Sequence, residues 1–155
     1  MKKLLLSFAL LVCSLAIQAQ EYYVSSAGQG QGGRYLVNIT VNVKKKLPSS
    51  AEDLVMRYAV EGVMFRGLMA AGGYGEQKPL VKDPNAQQTK ADFFQAFNNE
   101  GKYRTFASIV PQSLTSMKNK KTKMIETTAT VMVDKEALQH YLEEAGVIQG
   151  FSNLW

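Results

Sequence analysis

The sequence predicts an α+β domain: a mostly antiparallel sheet of about four strands with helices packed on one face. Three observations point to it. Apolar and polar residues alternate through RYLVNITVNV and again through TKMIETTATVMV, the period of strands that bury one side. Apolar residues recur at helical spacing in AEDLVMRYAVEGVMFRGL and around Phe93, Phe94 and Phe97. The elements run strand, strand, helix, helix, strand, strand, helix, without the regular strand and helix alternation that builds a parallel sheet.

The chain has 155 residues. Its first 19, MKKLLLSFALLVCSLAIQA, place Lys2 and Lys3 before an apolar run from Leu4 to Ile17 and end on small Ala19, which reads as a secretory signal peptide. The run is too short for a membrane span. Cys13 follows bulky Val12, which argues against acylation there. The expected product is exported to the periplasm or cell envelope as a single domain over residues 20–155. Taking 19 residues from 155 leaves 136 with no cysteine, so neither a disulfide nor a thiolate metal site is available. Losing Lys2 and Lys3 lowers the formal charge from +5 to +3, too little to argue for nucleic acid.

EYYVSSAG reads as extended and leads into GQGQGG. These glycines run directly into a strand, whereas a dinucleotide fingerprint or P-loop follows a strand and opens a helix; a hairpin loop or a flexible lead-in to the strand is the expectation. In the next strand Tyr35, Val37, Ile39, Val41 and Val43 share one face, and the other, mostly amide and hydroxyl, carries Leu36, Asn38, Thr40, Asn42 and Lys44. Ser49 with Glu52 predicts a capped helix through about Leu68. Its circumference is mostly apolar, which makes it the central buried helix, and Glu61 interrupts it four residues after Arg57, the spacing of a structural ion pair. Residues 70–90 contain Gly72, Gly73, Gly75, Pro79 and Pro84, which exclude long regular structure and predict a surface excursion.

Thr89 and Asp92 predict the start of the Phe93–Phe97 helix, and Gly101 its end. KYRTFASIV and TKMIETTATVMV are then expected as strands joined across SMKNKKTK. In the second, Ile125, Thr127, Ala129, Val131 and Val133 oppose a face with Met124, Glu126, Thr128, Thr130 and Met132. Asp134 caps a last helix that Gly146 ends, with Leu138, Tyr141, Leu142 and Ala145 as its inner stripe. Phe151, Leu154 and Trp155 are expected to dock the tail on the domain.

Few residues suggest chemistry. His140, the single histidine, lies among Glu136, Glu143 and Glu144 on the outer side of the last helix and reads as a solvated, charge-paired surface. No cofactor or metal site is expected. Lys44–Lys45–Lys46 and the group Lys118, Lys120, Lys121, Lys123 are the densest positive patches; lysines at strand ends commonly discourage edge pairing, and an anionic partner is the functional alternative.

The path from an alternating strand into a long Ala, Val and Met rich helix, closing with TATVMVDKEALQHYLEEAGVI, resembles the small α/β modules of bacterial envelope proteins. Examples are the flagellar FlgT amino-terminal domain and related outer-membrane lipoproteins. The resemblance covers element order over about residues 34–148, implies an envelope module, and transfers no site residues. The resulting expectation is a non-enzymatic binding or structural role toward a protein or glycan partner. Asn38, Thr40, Asn42, Glu126, Thr128 and Thr130 form the candidate recognition surface, and Gly72, Gly73, Tyr74 and Gly75 a candidate functional loop. The alternative is a small periplasmic enzyme using Glu61 and that loop.

Overall fold

A computed structural model describes residues 22–30, 32–43 and 50–150. The expected signal peptide with Cys13, the Lys44–Lys46 run, Ser49, and Phe151, Leu154 and Trp155, expected to dock the tail, lie outside the described residues.

Strand β1 (Tyr22–Gln29) pairs antiparallel with β2 (Arg34–Val43), so the glycine stretch between them turns a hairpin. The ladder slips between Ser26 and Gly28, a β-bulge whose Gly28 has φ +136°, a backbone angle that side chains rarely adopt. After β2 come α1 (Ala51–Glu61) and a π-helical turn (Gly62–Arg66). The Ser50 hydroxyl caps α1 by accepting the Asp53 amide at 3.2 Å, one residue beyond the expected cap. The helical path continues through the π-helical turn to Arg66, close to the end at about Leu68 that the apolar pattern predicts. Gly67 follows the turn at φ +73°, and a Cβ there would strike the Gln77 carbonyl, so only glycine fits.

Short α2 (Ala86–Thr89), α3 (Ala91–Asn99) and α4 (Tyr103–Phe106) follow, with Gly101 at φ +68° between the last two. The residues expected as a strand from Lys102 therefore begin as helix. Tyr103 and Phe106 are buried there, and only β3 (Ala107–Ile109) is extended. A further strand, β4 (Thr115–Lys118), occupies what was expected as connection, and the true hairpin loop is residues 119–124 leading into β5 (Ile125–Asp134). The chain closes with α5 (Lys135–Glu144), capped by the Asp134 carboxylate and followed by Gly146 at φ +65°.

The sheet order is β1-β2-β5-β3, with β4 also paired to β5, and every strand pair is antiparallel. β3 and β4 are two halves of one edge. Between them the Ser113 hydroxyl takes the place of a backbone partner: it accepts from the Thr130 amide at 3.1 Å and reaches the Val110 carbonyl at 2.7 Å. Five strands thus make a sheet four strands wide.

One face is buried by the helices. Val37, Ile39, Val41, Val131 and Val133 pack under Leu54, Val55, Ala59 and Val60 of α1 and Leu138 and Leu142 of α5. Phe93, Phe97, Phe106 and Tyr141 close one side in a ring cluster with centroids 5.4 to 6.2 Å apart. Ala145 is exposed, unlike the rest of its expected stripe, because α5 ends one residue before it. The α+β class, with helices on one face of an antiparallel sheet, is as the alternation requires.

Candidate functional site

The opposite face of the sheet is polar, and none of Asn38, Thr40, Asn42, Glu126, Thr128 and Thr130 is buried. Register sets them in rows. Thr40 pairs with Tyr23 on one side and Thr128 on the other, and Thr128 pairs with Thr115, so Tyr23, Thr40, Thr128 and Thr115 cross four strands in line. At about 4.8 Å per strand the row spans roughly 14 Å. A second row joins Ser25, Asn38 and Thr130, and a third Asn42, Glu126 and Met117.

Within the rows the Thr130 hydroxyl donates to the Asn38 carbonyl oxygen at 2.9 Å, and the Thr115 and Thr128 hydroxyls lie 2.6 Å apart. Each group keeps bonding capacity. A hydroxyl has one donor and two lone pairs, and the Asn38 amide nitrogen still has two donors. Tyr23 stands at the edge with its side 55% exposed. The face therefore carries rows of hydroxyls and amides, bordered by the Tyr23 ring on one edge, by exposed Met117 near the Glu126 end and by the Leu36–Met132 pair at the other end. Sequence alternation finds six of the residues in these rows; Tyr23, Ser25, Thr115 and Met117 are missed because only strand register brings them into line.

Glu61 lies on the helical side, at the junction of α1 with the π-helical turn. Tyr22 of β1 donates its hydroxyl to a Glu61 carboxylate oxygen at 3.2 Å. The π-helical turn carries Arg66 back over the strand, where its guanidinium donates to the Tyr22 carbonyl at 2.9 Å and stacks 3.6 Å from the Tyr22 ring centre. Burial raises the Glu61 carboxyl above the ordinary range, and the Tyr22 hydrogen bond with the nearby Arg57 and Arg66 charges only partly offsets it. The expected Arg57–Glu61 ion pair does not form: among the described residues no salt bridge joins the two, and Tyr22 takes the carboxylate instead. Spacing of four on a helix sets side chains on one face, and here a cross-sheet tyrosine competes successfully.

A cleft of about 360 Å³ opens beside Glu61, between α1 and α3. Its remaining polar lining is Arg57, Gln87, Gln95 and Asn98. It contains no second acid or base and no nucleophile to pair with the carboxyl. Among the described residues no group of three His, Cys, Asp or Glu side chains could hold a metal ion. His140 is exposed on α5 and its Nδ1 stands 3.6 Å from a Glu144 carboxylate oxygen, on the solvated helix surface that its neighbours imply.

The Gly72–Gly75 loop has a structural explanation. Ala71 and Tyr74 exchange backbone hydrogen bonds of 3.2 and 3.0 Å around Gly72 and Gly73, whose φ angles of +59° and +86° make a two-residue hairpin turn. Leu68 and Gln77 exchange a second pair, and the Ser26 amide donates to the Met69 carbonyl at 2.9 Å, so this small hairpin sits along the outer edge of β1. The Tyr74 ring lies against Gly28, where an added Cβ would meet it at 3.3 Å. Tyr22 and Gly28 are six residues apart on one strand, roughly 20 Å at about 3.3 Å each. The loop and Glu61 therefore do not converge on a common site.

No family model, curated protein or solved structure matches this chain.

Proposed function

We propose that the protein is an exported envelope module that recognises a protein or glycan partner through the open face of its sheet and does no chemistry on it. One observation carries this reading: a face whose hydroxyls and amides stand in cross-strand rows, keep bonding capacity, and have no described element over them. The leader-like first 19 residues and the resemblance to envelope modules support the location. The enzyme alternative draws little support, since Glu61 and the Gly72–Gly75 turn lie at opposite ends of β1.

The test is capture of a partner from envelope extract by the immobilised protein. Thr40→Glu adds bulk and charge to the centre of the face and should abolish capture. Gln95→Glu, in the cleft beside Glu61, should leave it intact. The reverse pattern would move the site to the cleft and overturn the reading.

A further inference from the structure

The recognition face has a charged end. Residues 119–124, between β4 and β5, form a loop closed by the Asn119 amide on the Met124 carbonyl at 2.8 Å, and the Asn119 side-chain oxygen accepts the Lys121 and Thr122 amides. The backbone and Asn119 fix the loop, and Lys118, Lys120, Lys121 and Lys123 are exposed. These lysines lie within six residues that hold no acid, so the stretch carries +4 of the chain's formal +5. Lys118 at the end of β4 suffices to discourage edge pairing. The other three lie off the strand, and edge protection does not account for them.

The loop sits just beyond the row Asn42, Glu126 and Met117, at the end of the sheet where Val43 pairs with Ile125. The rows themselves are almost uncharged. Among the described residues of the face, Glu126 is the one charge outside the Arg34–Asp134 pair, whose atoms lie 3.7 Å apart. A partner that fits both regions needs many hydroxyls along the rows and acid groups at the lysine end.

We infer that the partner is an acidic polysaccharide, a glycan strand whose hydroxyls bond the Thr and Asn rows and whose acid groups meet the lysine loop. The inference rests on the open face being the recognition surface. A sugar ring also presents a C–H face that can pack on the exposed Tyr23 ring. An anionic lipid surface would satisfy the lysines and leave the rows unused. A folded protein partner favours an apolar centre, and the centre here is Thr40, Thr128, Asn38 and Thr130.

Affinity electrophoresis of the purified protein through gels containing polygalacturonate, alginate or chondroitin sulfate tests it, with dextran and phosphatidylglycerol vesicles as comparators. At least one acidic polymer should retard the protein at low salt and lose roughly tenfold in affinity by 0.5 M salt, where screening is strong. Lys120→Glu with Lys121→Glu should weaken retardation about tenfold by reversing charge. Asn38→Ala with Thr130→Ala should weaken it several-fold at unchanged salt dependence, and far-ultraviolet circular dichroism establishes that both variants remain folded. Four results overturn the proposal: no acidic polymer binds, dextran binds equally well, the vesicles are preferred, or the Asn38 and Thr130 changes have no effect. If envelope capture still depends on Thr40 while the polymers fail, only the glycan assignment falls; capture indifferent to Thr40→Glu removes the face reading itself.

Discussion

Val41 and Thr40 are neighbours on β2 that face opposite ways, and substituting each in turn tests the one-sided sheet. Val41 is fully buried, between Tyr22 on β1 and Thr127 on β5. Val41→Asp forfeits about 1.5 to 3 kcal/mol of apolar burial. The new carboxyl would sit among side chains that the fold already pairs, the Tyr22 hydroxyl donating to Glu61 and the Thr127 hydroxyl lying 3.0 Å from that of Ser116. Leaving a polar group unpaired, or neutralising it to avoid a buried charge, adds roughly 2 kcal/mol or more. The sum approaches about 5 kcal/mol, the low end of the whole stability of a small domain.

Thr40→Glu sends its carboxylate from the half-buried open face toward water, beside Tyr23 and Thr128 and no acid in its own row. Its cost should stay within about 1 kcal/mol, the range of strand preference and of surface substitutions. Urea unfolding followed by far-ultraviolet circular dichroism separates the two. Val41→Asp should be largely unfolded without urea, and Thr40→Glu should keep its slope and nearly its midpoint. Equal losses would mean that both faces are buried, and the account of the recognition surface would fail with the architecture.

Four further outcomes follow from particular contacts. Because burial raises the Glu61 pKa, its contribution favours the fold below the ordinary carboxylate range and is lost as pH rises through the raised value; Glu61→Gln should flatten that fall, and identical pH profiles of urea midpoints would refute it. Ser113→Ala should cost about 1 to 3 kcal/mol by leaving the Thr130 amide without its acceptor, with unchanged thermal stability as the contrary result. Gly62→Ala should lose about 1 to 3 kcal/mol although alanine is the better helix former, since a Cβ would lie 2.7 Å from a Val24 methyl; Val24→Ala should recover part of the loss in the double variant, and a single variant more stable than wild type would overturn the contact. Intact mass of protein recovered from its native cells should show a chain beginning at or near Gln20 without lipid, and an acylated chain starting at Cys13 would contradict the proposed leader.

The legible parts of the fold are those whose information is local. Alternation through β2 and β5 assigns every residue from Tyr35 to Val43 and Ile125 to Val133 to its observed face, because period two is set by the strand itself. Asp134 and Gly146 bracket α5 for the same reason: a cap and a left-handed stop act within one turn. Lys102 to Phe106 misleads, since its aromatic and β-branched residues suit a strand, and the burial of Tyr103 and Phe106 is better met by a helical turn beside α1. There Tyr103 and Arg104 both donate to the Asp53 carboxylate at 2.7 Å. That carboxylate lies 50 residues away in sequence, beyond the reach of any local pattern.

The same distinction separates the two candidate sites. The polar face follows from alternation plus pairing, and pairing is itself constrained, because slipping β2 against β5 by one residue would turn a whole apolar set toward water. Thr40, Thr128 and Thr115 fall into line as a consequence of burying Val41, Thr127 and their neighbours. The Glu61 cluster depends on how α1 crosses β1, and that crossing needs Gly62 against Val24, the π-helical turn, and Arg66 reaching back to Tyr22. The Tyr22 hydroxyl on the Glu61 carboxylate and the Arg66 guanidinium on the Tyr22 carbonyl use the polar groups of that cluster inside the domain. The rows on the open face keep theirs, and a surface that retains unused donors and acceptors in a fixed array is the better place to seek a partner.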